Sequence, residues 1–188
     1  LTYLRFPGGR HGDTFDLIEY QIDQFMDLRA VIDAEVTISV RLLGGSPEDA
    51  AEVVRHTNIE IGYGVTYWSI GNEPSLYSAL QDAPEWDTAF YNTQWREFAE
   101  AMLAVDPDIQ LLGPNIHQIA ARVEDRVKDD NGLGWLNEFL EANGDMVDVV
   151  TFHRYPFPIS RTDPIPTFEQ LRDNPPEWDT IIPAVRET

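Results

Sequence analysis

The sequence contains no cysteine and only one lysine, Lys128, among its 188 residues. The absence of cysteine excludes disulfides, thiolate nucleophiles and zinc-thiolate clusters, and it leaves the redox compartment open. Basic residues are also few: 13 lysine and arginine residues are outnumbered by 33 aspartate and glutamate residues, which gives a formal net charge of -20. Because such a surface repels phosphate backbones and anionic lipid, we expect neither nucleic acid nor a membrane as a partner.

Long apolar runs are also absent. No stretch reaches the roughly 18 consecutive apolar residues that a membrane span requires, and the first residues resemble a strand rather than a targeting peptide. With 43% hydrophobic and 24% charged residues, the composition is that of an ordinary globular protein. We expect a single domain over residues 1–188. The cellular compartment is not indicated.

Short β-rich segments alternate with helical patterns along the chain. We expect strands at residues 1–6, 35–43, 65–70, 109–112 and 147–152, each followed by a helix. No glycine-rich nucleotide-binding fingerprint is present, and unusual residues collect after the strands, which favours a (β/α)8 barrel over an open doubly wound sheet. Because a whole barrel needs roughly 250 residues, we expect an incomplete one.

Local signals predict several helix ends. Asp16 and Glu19 have the spacing of a capping box, and Ser46 before Pro47 is typical of an N-cap followed by the first helical residue. Gly144 is expected to end the helix that precedes the fifth strand in a left-handed conformation.

Glu73 is the leading catalytic candidate. It follows the third predicted strand directly, between Asn72 and Pro74, and the proline disfavours helical geometry at Glu73. A carboxyl group held at a strand end among aromatic side chains is placed to act as a general acid. The triplet alone does not decide this, because a loop glutamate that only caps a helix or forms a salt bridge has the same pattern.

Three segments together resemble the retaining glycoside hydrolases of clan A. They are residues 5–9 (RFPGG), 67–74 (YWSIGNEP) and 151–156 (TFHRYP), and their order and spacing also match that clan. The xylosidase, arabinofuranosidase and heparanase-like branches are the most similar, and only the 67–74 segment is specific. The resemblance implies an incomplete TIM barrel in which strands 2 to 6 are present and strands 1, 7 and 8 are missing.

The resemblance implies a role for each matched residue. Glu73 would be the general acid/base, Asn72 would hydrogen-bond the 2-hydroxyl of the sugar, and Arg5 would pair with the carboxylate of the nucleophile. His153 and Tyr155 would line the sugar subsite. The implied reaction is hydrolysis of O-glycosyl bonds in a poly- or oligosaccharide, and it requires no metal or organic cofactor.

The clan's nucleophile is a second glutamate that ends strand 7, and no such strand is visible here. Retaining hydrolysis needs two carboxyl groups roughly 5 to 5.5 Å apart. We therefore expect the nucleophile beyond residue 188 and expect the isolated 188-residue chain to be inactive. Open strand edges and apolar inner layers would also favour self-association.

Several other residues are candidates for sugar contacts or for the core. Asn115 ends the fourth strand and could contact a hydroxyl, although turn chemistry explains it equally well. Trp86 lies in the loop after the third strand, where its ring could stack on a sugar. The remaining aromatic candidates, expected in the core from their spacing, are Trp68, Trp95 and Trp135.

Two alternative functions are compatible with the sequence. The same loops could hold a sugar in a barrel that lacks catalysis. His11, His117 and His153 fall near three different strand ends, so a metal-dependent barrel hydrolase is a further alternative. No paired spacing such as His-x-His supports a metal site.

Overall fold

The structure, a computed structural model, describes residues 3–80, 83–157 and 165–188. Its strands are β1 (Tyr3–Phe6), β2 (Glu35–Val40), β3 (Tyr67–Ile70), β4 (Gln110–Ile116) and β5 (Val149–Phe152). Its α-helices are α1 (His11–Thr14), α2 (Glu19–Ile32), α3 (Pro47–Val54), α4 (Tyr77–Leu80), α5 (Thr88–Val105), α6 (Trp135–Asn143), α7 (Phe168–Asp173) and α8 (Trp178–Arg186). A π-helical turn, Arg55–Glu60, extends α3, and a 3-10 turn, Pro74–Leu76, precedes α4.

The five strands form one parallel sheet in the order β1-β2-β3-β4-β5. Each strand pairs with the next one in sequence, and each connection contains at least one helix. A doubly wound sheet reverses its strand order at a switch point, whereas a (β/α)8 barrel does not. The described residues therefore form a half-barrel of consecutive β/α units, as the alternation of strand and helix patterns predicted.

One face of the sheet carries the hydrophobic core. Successive strand residues point to opposite faces, and one alternate set, which includes Ile38, Trp68 and Leu111, is buried against the helices. Phe6 belongs to this set and stacks on Phe25 of α2 with ring centroids 4.9 Å apart. Burial of this face is the main force that holds the helical layer on the sheet.

The opposite face of β1, β2 and β3 is polar. Its members are Tyr3, Arg5, Glu35, Thr37, Ser39, Tyr67 and Ser69. They bond across the strands: the Tyr3 hydroxyl contacts the Thr37 hydroxyl, and Arg5 Nε donates to Ser39 Oγ at 2.8 Å. The expectation of apolar inner layers is therefore wrong for these three strands. On this face Arg5 lies among hydroxyl-bearing side chains instead of apolar ones.

Some predicted boundaries are confirmed and others are corrected. Ser46 caps α3, since Asp49 N donates to Ser46 Oγ at 3.1 Å. The predicted capping box at Asp16 is wrong: Asp16 instead forms an ion pair with Arg41 at 3.1 Å, and α2 begins at Glu19. Gly144 follows α6 with a φ of -63°, so the prediction of a left-handed conformation at this residue is also wrong. Strand β4 runs on to Ile116, four residues past its predicted end.

The tryptophans expected in the core are buried, with Trp68 and Trp95 at 0% exposure and Trp135 at 2%. Trp86 is buried as well, at 6% exposure, and its ring makes edge contacts with Tyr77 and Phe90 at 5.0 Å. The expectation that Trp86 stacks on a sugar is therefore corrected, because it packs as a core residue. Over the described ranges, no helix is both long and apolar enough to cross a membrane.

Candidate active site

The segment after β3 holds Glu73 in an uncommon backbone conformation. Both Gly71 and Glu73 have positive φ angles, +73° and +51° respectively. At Gly71 a Cβ atom would lie 2.8 Å from the Tyr77 hydroxyl, so this turn requires glycine. Glu73 N donates to the carbonyl oxygen of Asn115 at 3.0 Å, which ties the segment to β4. Few non-glycine residues adopt such an angle, and in this fold it sets the direction of the Glu73 side chain.

A chain of hydrogen bonds links Glu73, His153 and Arg5. His153 Nδ1 lies 2.6 Å from Glu73 Oε1, and Arg5 Nη1 lies 3.3 Å from His153 Nε2. A guanidinium can only donate, so Nε2 accepts and the proton of the neutral ring is on Nδ1. His153 therefore donates to the Glu73 carboxyl group, and Arg5 fixes the tautomer that does so. Residues from β1, β3 and β5, far apart in sequence, thus converge at the ends of their strands.

Tyr155 makes a second contact with the same carboxyl oxygen. Its hydroxyl donates to Glu73 Oε1 at 3.3 Å, while its side chain remains about half exposed. Gln118 holds the Tyr155 backbone through two hydrogen bonds: Tyr155 N donates to Gln118 Oε1 at 3.0 Å, and Gln118 Nε2 donates to Tyr155 O at 2.9 Å. Burial and the Glu73 charge raise the pKa of Tyr155, so its hydroxyl is protonated and can donate at neutral pH.

A buried carboxyl group, Asp13, lies beneath this segment. Asp13 Oδ1 accepts from the Tyr77 hydroxyl at 2.6 Å and from Asn72 N at 3.2 Å. Asp13 is 5% exposed, and this burial raises its pKa to about 6 although both hydrogen bonds and the Arg5 charge favour the ionised form. Burial likewise lowers the pKa of Arg5. A carboxyl group with a pKa near neutrality therefore supports the backbone next to Glu73.

Asn72 has a buried side-chain oxygen with no partner. Asn72 is 4% exposed, and its Oδ1 accepts no hydrogen bond from any described residue. An unsatisfied buried acceptor costs about 1–3 kcal/mol. Asn115, in contrast, is committed within the protein: its Nδ2 donates to Ser69 Oγ, and its backbone carbonyl accepts from Glu73. Asn115 thus supports the segment that carries Glu73.

The predicted site residues separate into two groups. Arg5, Asn72, Glu73, His153 and Tyr155 lie together at the carboxyl ends of the strands, with Asn115 directly beneath them. Trp86 packs instead against Tyr77 and Phe90. The structure weakens the metal alternative, because both ring nitrogens of His153 are engaged by Glu73 and Arg5. Among the described residues, no group of three His, Cys, Asp or Glu side chains could hold a metal ion.

Sequence reasoning did not select Asp13, Ser75 or Gln118. Asp13 follows the Pro-Gly-Gly turn as one acidic residue among 33, so nothing local distinguishes it from a surface aspartate. Ser75 and Gln118 are ordinary loop residues in sequence, and their contacts, Ser75 with His117 and Gln118 with Tyr155, form only when the ends of β3, β4 and β5 are brought together. Their position within a few residues of a strand end is the one signal in the sequence that could have identified them as candidate site residues.

Comparison with solved structures shows the same architecture in larger enzymes. An α-L-arabinofuranosidase from Thermotoga maritima, in complex with arabinose, aligns with 81% of this chain at 21% identity and a TM-score of 0.57. A family 44 endoglucanase from Clostridium thermocellum aligns with 83% at 16% identity and a TM-score of 0.65. A family 51 arabinofuranosidase from Xanthomonas axonopodis pv. citri aligns with 98% at 14% identity and a TM-score of 0.63.

These three proteins are clan A glycoside hydrolases. The chain spans 36%, 49% and 41% of their respective lengths. No protein-family model and no curated protein sequence matches the chain. At identities this low the likeness shows the fold alone: the chain folds as a partial (β/α)8 barrel of the type found in clan A glycoside hydrolases.

Proposed function

We propose that this chain is part of a retaining glycoside hydrolase that cleaves O-glycosyl bonds in a poly- or oligosaccharide, with Glu73 as general acid/base. The observation that carries the proposal is the environment of the Glu73 carboxyl group. Oε1 accepts from His153 Nδ1 and from the Tyr155 hydroxyl, whereas Oε2 has no hydrogen-bond partner among the described residues. One oxygen is held in place, and the other is available to exchange a proton with a substrate.

The proposed mechanism uses this asymmetry twice. In the first step Glu73 donates a proton from Oε2 to the glycosidic oxygen as the bond to the leaving group breaks and the carboxylate of the nucleophile bonds to the anomeric carbon. In the second step the resulting carboxylate takes a proton from the water that releases the sugar from the enzyme. His153 and Tyr155 donate to Oε1 throughout, so they orient the group and stabilise the charge that forms on it.

The remaining residues bind and orient the substrate in this proposal. The side-chain amide of Asn72 forms a hydrogen bond with the 2-hydroxyl of the sugar. Arg5 is linked to Glu73 through His153 and contributes positive charge for a second carboxylate. We assign β1 to β5 to barrel strands 2 to 6, because the Asn-Glu segment then ends strand 4 and His153 follows strand 6. No cofactor is part of the proposal.

The nucleophile is the missing element of the described site. Asp13 is 5% exposed and bonded to Tyr77 and Asn72. Glu177 is held by Arg154 in a two-pronged ion pair, with contacts of 2.7 and 3.2 Å. Neither carboxylate is presented to a substrate. In the proposal the nucleophile is therefore a glutamate beyond residue 188, and the isolated chain does not turn over a glycoside.

Substitution in the full-length protein tests this assignment. We expect Glu73→Gln to slow hydrolysis by roughly a factor of 100 to 10,000, because glutamine fits the same space but transfers no proton. Glu100→Gln is the matched control, since Glu100 is exposed on α5. Suitable probes are 4-nitrophenyl α-L-arabinofuranoside and a cello-oligosaccharide, because the aligned structures include arabinofuranosidases and an endoglucanase.

The outcomes separate the rival functions. Product of retained anomeric configuration, observed by proton NMR in the first minutes, supports the two-carboxylate mechanism. Sugar binding without any hydrolysis by the full-length protein would favour the non-catalytic binder. A rate unchanged by Glu73→Gln would remove Glu73 from the mechanism. Hydrolysis by the isolated 188-residue chain would show that the nucleophile lies within it.

A further inference from the structure

A serine and a histidine form a close pair beside Glu73. The Ser75 hydroxyl lies 2.9 Å from His117 Nδ1, and His117 N donates to Ser75 Oγ at 3.2 Å. Ser75 is two residues after Glu73, and His117 is two residues after Asn115, whose carbonyl accepts from Glu73 N. The pair is therefore fixed relative to Glu73 by hydrogen bonds between the ends of β3 and β4.

These contacts favour one tautomer of the His117 ring. Ser75 Oγ already accepts from the backbone N–H of His117, and its own proton has no other acceptor among the described residues. This arrangement favours donation from the hydroxyl to Nδ1, which must then be unprotonated. The proton of the neutral ring is then on Nε2, the opposite tautomer from that of His153.

The surroundings of His117 keep it neutral. The ring is half-buried, and its desolvation lowers its pKa although the nearby Glu73 charge acts in the other direction. Charge on His153 also lowers the pKa of His117. His117 Nε2 has no hydrogen-bond partner in the part of the chain that the structure describes.

We propose that His117 binds the substrate as a neutral hydrogen-bond donor, with Nε2–H directed to an oxygen of the sugar whose bond Glu73 protonates and with Ser75 setting the tautomer. The proposal rests on the function proposed above. A neutral donor suits this position, because a cation here would stabilise the Glu73 carboxylate and oppose the protonated form that the first step needs. His117 is a binding residue for the substrate, and Ser75 is a positioning residue that acts through it.

The tautomer can be tested without any activity. Long-range proton–nitrogen NMR on the protein at neutral pH should show the proton of His117 on Nε2 and that of His153 on Nδ1. Ser75→Ala should convert His117 to a mixture of tautomers or to the Nδ1–H form. The exposed His11, whose ring contacts Phe15, is the internal control and should not change. An Nδ1–H tautomer for His117 in the unsubstituted protein would overturn the proposal.

Kinetics of the full-length protein test the contact with the sugar. His117→Phe should raise KM for the 4-nitrophenyl glycoside that the protein hydrolyses by about 3- to 10-fold, the loss expected for one neutral hydrogen bond. His117→Gln should recover most of this loss, because its amide N–H can replace Nε2–H. An unchanged KM in His117→Phe, together with a slow Glu73→Gln variant, would overturn only this proposal. A Glu73→Gln variant with an unchanged rate would overturn the proposed function and this inference with it.

Discussion

Replacement of the buried Asp13 by asparagine should stabilise the folded chain at neutral pH. The carboxyl group is 5% exposed, and its burial raises its pKa from 3.8 to about 6. A group whose pKa is higher in the folded state stabilises the fold below its unfolded pKa and loses this contribution as the pH rises through the folded value. Asparagine keeps an oxygen that can accept from Tyr77 and from Asn72 N but never ionises.

The size of the effect follows from the difference in pKa. A shift from 3.8 to about 6 corresponds to about 3 kcal/mol between the fully protonated and fully ionised forms. Between pH ~4.5 and pH ~7.5 the linkage relation assigns about 2 kcal/mol of that total to the unsubstituted protein. The free energy of unfolding of Asp13→Asn, relative to the unsubstituted protein, should therefore rise by about 2 kcal/mol over this interval.

Urea denaturation at several pH values measures this difference directly, because the other titrating groups are common to both proteins and cancel. Asp27→Asn is the control, since Asp27 is exposed on α2 and should show no such trend. A difference between Asp13→Asn and the unsubstituted protein that stays constant with pH would refute the reasoning. Such a result would mean that Asp13 remains ionised in the folded protein. The hydrogen bonds from Tyr77 and Asn72 would then lower its pKa by at least as much as burial raises it.

Four further predictions concern the fold, the loop, the site and the oligomeric state. Ser46→Ala should lower the free energy of unfolding by about 1 kcal/mol, measured by urea denaturation, because α3 loses its N-cap. Gly71→Ala should cost about 2 kcal/mol or more and reduce activity, since a Cβ at φ +73° meets the Tyr77 hydroxyl at 2.8 Å; an unaffected melting temperature would contradict this. Tyr155→Phe should slow hydrolysis by the full-length protein by about 3- to 10-fold at an unchanged melting temperature, because it removes only the exposed donor to Glu73. The isolated 188-residue chain should self-associate in sedimentation velocity, because the outer edges of β1 and β5 are unpaired in the described sheet, and a monomer at all concentrations would oppose this.

Strong local signals were sufficient for much of the architecture. The alternation of strand and helix patterns predicted five β/α units, and Ser46 with Pro47 predicted the start of α3 correctly. The predicted capping box failed because a distant partner competed with a local one. Asp16 has the spacing of a helix cap, but its carboxylate pairs instead with Arg41, which the fold brings from 25 residues away.

The aromatic residues show that the sequence also does not predict which loop side chains reach the candidate site. Trp86 and Tyr155 both follow strands in loops, and the sequence gives no reason to separate them. In the structure one packs at 6% exposure against Tyr77 and Phe90, and the other is 52% exposed with its hydroxyl on Glu73. Burial depends on what the rest of the chain places nearby, and a short sequence window does not contain that information.

By itself the sequence determined the alternation of strands and helices, the excess of acidic residues and the positions of the polar residues that follow the strands. These properties depend on composition and on near neighbours along the chain. Tertiary structure alone decided that Arg5, Glu73 and His153 share one hydrogen-bonded chain, that Asp13 is buried beneath them, and that Ser75 meets His117 beside Glu73. The physical reason is that burial and proton placement depend on contacts between strand ends that are up to 148 residues apart in sequence.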